Sequence, residues 1–420
     1  MRPWHFGAVW LALFVTAIAS GVDLLFYLSY LTLFVGLAMW LVSRQTLEGL
    51  EVTRQIGQAY AHLGDTIELR YELHNAHRFG KLWVEVFEES NWPEHLPGRV
   101  LSIGGQKDRK WKVLVKALRR GRFQLGPIVL RSGDPFGLFA TEARVESPAL
   151  ILVYPKVLPL QHWQLPGSLL EGGVLTGQRS LQATSMVMGI REYRPGDAYN
   201  RIHWKSSARH MSLQVKEFEV EQASDVWLFV DLEARVQEGS GDDSTVEVGV
   251  RIAASIAFKA LAENRAVGMT ISGHRLTILP ADRGPRQYRK VMELLAAAEG
   301  DGVTPFGEIL LRTTSRVRRG MAVVAITPSP DPAWVRPLTA LRQRGVGCRV
   351  IWLDSPAFAA EELGRSETDD ALARRPARAI AHALAEFDLP FATVGPNANL
   401  EAVLTVRPKR TGQLVAGVAR

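Results

Sequence analysis

The densest run of residues able to do chemistry lies between 189 and 209. It reads Gly189-Ile190-Arg191-Glu192-Tyr193-Arg194-Pro195-Gly196-Asp197, then Arg201-Ile202-His203-Trp204-Lys205-Ser206-Ser207-Ala208-Arg209. Arginine forks match phosphate oxygens, and arginines interleaved with aromatics stack on nucleic-acid bases. The local charge argues against nucleic acid. Glu192, Asp197, Glu217, Glu219 and Glu221 offset the bases, whereas a nucleic-acid face needs a net basic stripe. Three readings stay open. The block clamps a loop to its own domain through Arg–Asp pairs and backbone hydrogen bonds. It docks a partner protein through Arg191, Tyr193, Arg194, Pro195, Gly196, Asp197, Arg201, His203, Trp204, Lys205, Ser207, Ala208 and Arg209. Or it lines a ligand pocket.

A second candidate is Asp231, which follows the apolar run Val226-Trp227-Leu228-Phe229-Val230. Such a run reads as a buried parallel strand, and ligands of parallel sheets gather at the carboxyl ends of strands. Glu233 could add an oxygen for Mg²⁺, a cation that takes oxygen ligands. Arg235 could instead neutralise Asp231 and replace the cation. Thr304 and Asp331 fall in loops from which further ligands could come. Other signals are poorer. His74 and His77, with His95 further on, have no carboxylate at ligand spacing and read as solvated strand positions. Cys348, the single cysteine, starts an apolar strand with no base nearby and reads as a buried thiol. There is no Walker A sequence and no Gly-x-Ser-x-Gly elbow. No catalytic residue is assigned.

The elements that must position these residues follow from periodicity. Beyond residue 223, apolar strands alternate with amphipathic helices. Strands are predicted at 226–230, 267–272, 276–279, 322–326 and 349–353. Helices are predicted at 245–264, 287–298, from Pro305, and 333–344. In the first helix Val246, Val250, Ala253, Ala257 and Leu261 share one face. This order predicts a doubly wound parallel α/β sheet over 223–405. The helical stretch 371–387 carries Arg374, Arg375 and Arg378 on a solvated face, and the residues from 406 form a basic tail.

Upstream, residues 47–155, within a domain predicted over 44–155, alternate with the period of strands. Thr66–Leu73, Leu82–Phe87 and Lys110–Lys116 do so cleanly, with Gly and Pro between them. Short strands at this spacing predict an antiparallel β-sandwich. Residues 156–222 read as a linker followed by the polar block.

The chain has 420 residues, 47% hydrophobic and 22% charged, with Lys plus Arg 50 against Asp plus Glu 43 and a formal +7. That composition excludes a disordered chain, and a single cysteine excludes an intrachain disulfide scaffold. A mean hydropathy of zero is high for so charged a body. The excess sits at the N-terminus. Trp4–Ser20 has no acidic residue, and Leu24–Val42 has no charge at all. About 20 apolar residues cross a bilayer, so residues 1–43 are predicted to form a two-pass hairpin turning at Gly21-Val22-Asp23. A cleaved signal peptide ending near Ala17-Ile18-Ala19 is the rival reading, weakened by the second apolar run. Arg2, Arg44 and Arg54 flank the pair while the turn carries Asp23, which predicts both ends on the cytoplasmic side.

The polar block, together with Arg120-Gly121-Arg122-Phe123, Gly126-Pro127, Asp134-Pro135-Phe136-Gly137-Leu138 and Tyr154-Pro155, resembles the domain-of-unknown-function 58 family of bacterial and archaeal membrane-anchored proteins. The resemblance implies a membrane hairpin, a β-sandwich and an α/β domain similar to the von Willebrand factor type A fold. It implies partners too: a MoxR-type AAA+ ATPase and a transglutaminase-like membrane protein. The type A fold places an Asp-x-Ser-x-Ser metal motif at the position of Asp231. Here the run is Asp231-Leu232-Glu233-Ala234-Arg235, with both serines replaced. The expectation is a membrane-bound scaffold or adaptor without a cofactor. The alternative is a metal-assisted envelope hydrolase built on Asp231 and Glu233.

Overall fold

Alternation, apolar runs and turn residues resolve into two compact units in a computed structural model of the chain. The structure describes residues 3–160, 163, 187–193, 199, 202–218, 225–362 and 374–405. One unit takes in Met1–Lys156 with Met292–Ala298, and the other Val157–Val291 with Glu299–Arg420.

The first unit begins with two apolar helices, α1 (Pro3–Ser20) and α2 (Asp23–Gln45), joined at Gly21, whose φ is +67°. Gly36 of α2 leaves room for the Phe6 ring of α1. Outward side chains such as Val15, Leu31 and Phe34 are exposed. α2 is long and apolar enough to cross a membrane, and the apolar part of α1, Phe6–Ser20, is shorter. The end of α2 is tied down. The buried Lys81 ammonium donates to the Gln45 carbonyl, and the Thr141 hydroxyl donates to that of Ser43 at 3.1 Å. A cation is favoured there because helix C-termini carry unpaired carbonyls and partial negative charge.

Nine strands follow among the described residues. They are β1 (Leu50–Ile56), β2 (Tyr60–His62), β3 (Thr66–Asn75), β4 (Lys81–Ser90), β5 (Arg99–Ile103), β6 (Lys107–Lys116), β7 (Gly121–Gly133), β8 (Ala140–Val145) and β9 (Ala149–Tyr154). β1-β3-β6 form one sheet and β2-β9-β7-β4-β5 the other, with β8 on β7. The inward residues of both, among them Leu69, Leu73, Val84, Leu125 and Ile151, share one core, as in a sandwich. The expected antiparallel pairing holds except that β2 runs parallel to β9. Inside this core, Arg54 of β1 and Glu88 of β4 form a buried ion pair, and the Tyr71 hydroxyl donates to Glu88.

The motif at 134–139 is a turn built on one carboxylate. Asp134, fully buried, accepts from the backbone N–H groups of Phe136 and Phe139 at 3.0 and 2.5 Å, and Gly137 takes φ +71°. The turn holds the Phe139 ring edge-on to Phe6 of α1, 6.2 Å between centroids. Phe123 likewise serves packing, against Trp92.

In the second unit a two-stranded hairpin, β10 (Val187–Glu192) with β11 (Gln214–Phe218), brackets the short helix α3 (Trp204–His210). The α/β sheet then runs β12 (Val226–Val230), α4 (Thr245–Ala262), β13 (Val267–Ser272), β14 (Leu276–Asp282), α5 (Gly284–Ala296), α6 (Phe306–Thr313), β15 (Ala322–Thr327), α7 (Val335–Gln343), β16 (Gly347–Leu353), α8 (Ser355–Glu362), α9 (Arg374–Glu386), β17 (Phe391–Val394) and α10 (Leu400–Thr405). The strand order is β14-β13-β12-β15-β16-β17. Trp227, Phe229, Val323, Ala325, Val350 and Trp352 pack with α6, α7 and α9. The alternate residues meet α4, where Gly249 lies against Ile326 and Leu353. Both faces are covered, which is why these strands read as unbroken apolar runs.

Two expectations are corrected. The sheet is not wholly parallel, because β14 returns antiparallel to β13 through Gly273-His274-Arg275. The buried face of α4 is broader than the stripe 246, 250, 253, 257, 261. It centres on Val250, Ala253, Ala254 and Ala257, leaving Val246 and Leu261 half-buried.

Candidate functional site

Three strands in register create the site at Asp231. Val230 pairs with Ile271 on one side and Ile326 on the other. The next residue of each strand is therefore Asp231, Ser272 and Thr327. The Thr327 hydroxyl donates to Asp231 Oδ2 at 2.6 Å, and the Ser272 hydroxyl lies 3.3 Å from Oδ1. The Glu233 N–H donates to Oδ1 at 3.1 Å. The backbone joins in: Asp231 N–H donates to the Ile326 carbonyl, and Gln237 Nε2 to the Asp231 carbonyl. Burial pushes the Asp231 carboxyl up to about 6, aided by the charge of Glu233 and opposed by the donors of Thr327, Glu233 and Ser272. This is the point where strand order reverses between β12 and β15, the usual ligand crevice of such sheets.

Glu233 is held by its backbone. It forms a β-bridge to Gly302, whose N–H donates to the Leu232 carbonyl and whose carbonyl accepts from Ala234. A Cβ at Gly302 would collide with the Ser272 carbonyl and lie 2.7 Å from that of Leu232. Arg235 points to solvent and forms no ion pair among the described residues, so it does not neutralise Asp231 as its spacing suggested. Asp331 is exposed and accepts from Ala333 N–H, capping a short helix turn. Thr304 is half-buried and makes no bond to Asp231. Ser272 and Thr327 are the residues that sequence reasoning missed. Their signal was a hydroxyl ending each of two apolar strands.

The donor set does not fit the metal site of the type A fold. Glu233 and Arg235 stand where its serines would be. Both Asp231 oxygens already accept from protein donors, and among the described residues no group of three or more His, Cys, Asp or Glu could hold a metal ion. The histidines fare similarly. His74 pairs with Asp108, Nδ1 to Oδ1 at 2.5 Å, which raises its proton affinity. His77 accepts from Phe79 N–H in a turn. Cys348 is buried, its thiol pushed up to about 12.

In the signature segment the inner residues satisfy one another. His203 Nδ1 caps α3, accepting from Ser206 N–H at 3.1 Å with the Ser206 hydroxyl at 2.8 Å. Because one ring nitrogen serves both groups, the pair is a cap rather than an activated nucleophile. The Ser207 hydroxyl accepts from Gln214 N–H at 2.8 Å, tying α3 to β11. Tyr193 stacks with Tyr199 at 5.8 Å. The outer residues face solvent: Trp204 is 67% and Met211 94% exposed, with Lys205, Ala208 and Arg209 beside them. Arg194, Pro195, Gly196, Asp197 and Arg201 lie outside the described residues, as do most of 156–186 and the tail from 406; Arg191 is described in its backbone alone.

Comparisons with known proteins bear on these features. Residues 189–354 match the model of a family described as "Protein of unknown function DUF58". The chain is 24% identical over 303 residues to "Uncharacterized protein YeaD" of Bacillus subtilis, covering 70% of this chain and 74% of that one. It is 27% identical over 187 residues to "Uncharacterized protein Rv1480" of Mycobacterium tuberculosis, covering 43% of this chain and 59% of the relative. Among solved structures, the conserved hypothetical protein BatB from Bacteroides thetaiotaomicron aligns at TM-score 0.33 and 15% identity, over 43% of this chain and 95% of that one. The CARDB domain of PF1109 from Pyrococcus furiosus aligns at TM-score 0.20 and 12% identity, over 25% and 94%. Residues 189–354, which span the signature hairpin, the Asp231 crevice and the sheet as far as β16, are the part of the chain that matches the DUF58 family.

Proposed function

We propose that this protein is a membrane-anchored, non-enzymatic scaffold. Its α/β domain acts as a von Willebrand factor type A-like module that binds a protein partner, a AAA+ ATPase of the MoxR type, in envelope or complex-assembly work. A transglutaminase-like membrane protein is a second candidate partner. The observation that carries this reading is the state of Asp231. Its carboxyl is spent on Thr327, Ser272 and the chain itself, which suits a locked binding domain better than a reaction centre. The strand order β14-β13-β12-β15-β16-β17 with an antiparallel β14 supports the type A likeness. The exposed Trp204, Lys205, Arg209 and Met211 supply a surface.

The anchor is the pair α1 and α2, with both ends and the folded body on the cytoplasmic side. Arg44 in the last turn of α2, Arg54 beyond it and Asp23 in its first turn support that orientation. Protease treatment of intact cells and inverted vesicles tests it: the sandwich should be cut only in inverted vesicles. Co-purification from native membranes in mild detergent tests the scaffold. The ATPase should be recovered with the full chain and lost on deleting residues 186–222. Failure to recover it, or indifference to the deletion, overturns the reading.

The second reading is a metal-assisted hydrolase using Asp231 and Glu233. It is favoured by one observation, a carboxylate at Glu233 with no partner among the described residues. Metal analysis separates the two. Bound Mg²⁺ or Mn²⁺ that disappears in Asp231→Ala supports the hydrolase, and we expect none at stoichiometric level.

A further inference from the structure

The turn at 134–139 has an apolar tip that the sandwich leaves uncovered. Residues 135–140 carry no charge. Phe139 packs on Phe6, but Phe136 is 70% exposed, and Leu82 and Phe79 are exposed too. All three belong to one end of the sandwich. Leu82 follows Lys81, whose ammonium holds the Gln45 carbonyl. The Phe79 carbonyl accepts from the Asn75 side chain at the end of β3, and the Trp83 indole N–H reaches the Asp134 carbonyl at 3.5 Å.

The end of α2 fixes where this patch stands. Ser43 and Gln45 are bonded to Thr141 and Lys81 of the sandwich, and Arg44 lies over the Trp40 ring at 5.0 Å. A tryptophan beside an arginine at the end of an apolar helix marks the headgroup level. Phe139 reaches deeper. Its partner Phe6 begins the apolar part of α1 and lies against Gly36, about 10 Å before Ser43 along α2. The root of the turn therefore touches side chains that a bilayer around these helices must cover. Its tip hangs from the same Asp134 carboxylate.

The backbone permits contact with lipid. Irregular chain avoids lipid where its polar groups lack partners. Here the N–H groups of Phe136 and Phe139 donate to the Asp134 carboxylate, and that of Gly137 to the Asp134 carbonyl. Drying the tip strands none of these donors, and the apolar side chains gain by leaving water. Arg78, over the Phe79 ring at 4.7 Å, supplies a cation for lipid phosphates, with Glu48 near Lys81 opposing it.

We propose that this end of the sandwich is a membrane-binding surface, in which Phe136, with Leu82 and Phe79, enters the headgroup and upper acyl layer of the leaflet at the C-terminal end of α2. This deepens the anchor reading and rests on it.

Fluorophore depth measurement on the full chain, in vesicles of phosphatidylcholine and phosphatidylglycerol, tests it. An NBD group is placed at Phe136→Cys, Leu114→Cys or Phe34→Cys, while the buried Cys348 stays unlabelled. Leu114 is exposed towards the other end of β6, opposite Glu68, and Phe34 is exposed on α2. At Phe136, lipid brominated high on its acyl chains should remove most of the emission and aqueous iodide little; Leu114 should show the reverse. Iodide quenching at Phe136 as strong as at Leu114 overturns the proposal. Lipid quenching at Leu114 as strong as at Phe136 does so too, because the label would then seek the bilayer by itself. Leu82→Cys, judged by the same outcomes, is the second site if Phe136→Cys does not fold. Phe34 keeps the two readings apart. Lipid quenching at Phe34 with iodide quenching at Phe136 sinks the membrane-binding surface and leaves the anchor. Iodide quenching at Phe34 with lipid quenching at Phe136 does the reverse, and iodide quenching at both removes both.

Discussion

Asp231 shows how a carboxyl can be conspicuous in a sequence and still be understood only in three dimensions. Its place after an apolar strand was plain; its partners were not. Ser272 and Thr327 lie 41 and 96 residues away, and nothing but strand register brings them level. The sign of its pH dependence follows from burial. The folded pKa of about 6 stands above the ordinary 3.8, so the folded state holds the proton more tightly. The stability tied to that proton is present in full below about pH 4 and is lost as pH rises through 6, an effect of about 3 kcal/mol. Asp231→Asn should therefore flatten the pH profile of the melting temperature between pH 4 and 7 relative to the parent. Parallel profiles would contradict this. The Arg54–Glu88 pair was equally invisible, since alternation marks which face is buried but not which charges meet across the core. Glu88→Ala leaves Arg54 uncompensated and should cost about 3–5 kcal/mol, read by denaturant unfolding, with Arg54→Met/Glu88→Leu recovering most of it. The Cys348 thiol, raised to about 12 by burial, should react with maleimide only after unfolding. Rapid labelling of the native protein would place it at the surface.

Elements were the most legible scale. β3, β4 and β6 fall where two-residue alternation predicts them, because one face of each meets the sandwich core. β12, β15 and β16 coincide with unbroken apolar runs. Direction was not legible. β14 looks like any short apolar strand, and its reversal depends on the tight turn at 273–275 rather than on its own composition. The helix face of α4 was also under-read, since Val248, Ile252, Ala254, Ile256 and Ala260 are buried beside the expected Val250, Ala253 and Ala257. The link between β12 and Gly302 belongs to this scale as well. It joins the loop after β12 to the segment before α6 by two backbone hydrogen bonds at 2.8 Å. Gly302→Ala should push these segments apart at a cost of about 1–3 kcal/mol. Unchanged stability would show that the backbone yields there.

At the scale of the molecule, the zero mean hydropathy is an average over two apolar helices and a polar body. Removing residues 1–45 should release the remainder to the aqueous phase on carbonate extraction, whereas the full chain should stay with the membrane pellet. A full chain that washes off would remove the anchor from the account. Sequence did not reveal how α2 ends, because Lys81 and Thr141 read as ordinary strand residues. Their bonds to Gln45 and Ser43, with Phe139 set against Phe6, leave no swivel between α2 and the sandwich. A torque on one must turn the other. If α2 spans a bilayer as proposed, a load on the sandwich would pass into the lipid as helix tilt rather than being absorbed by slack at the junction.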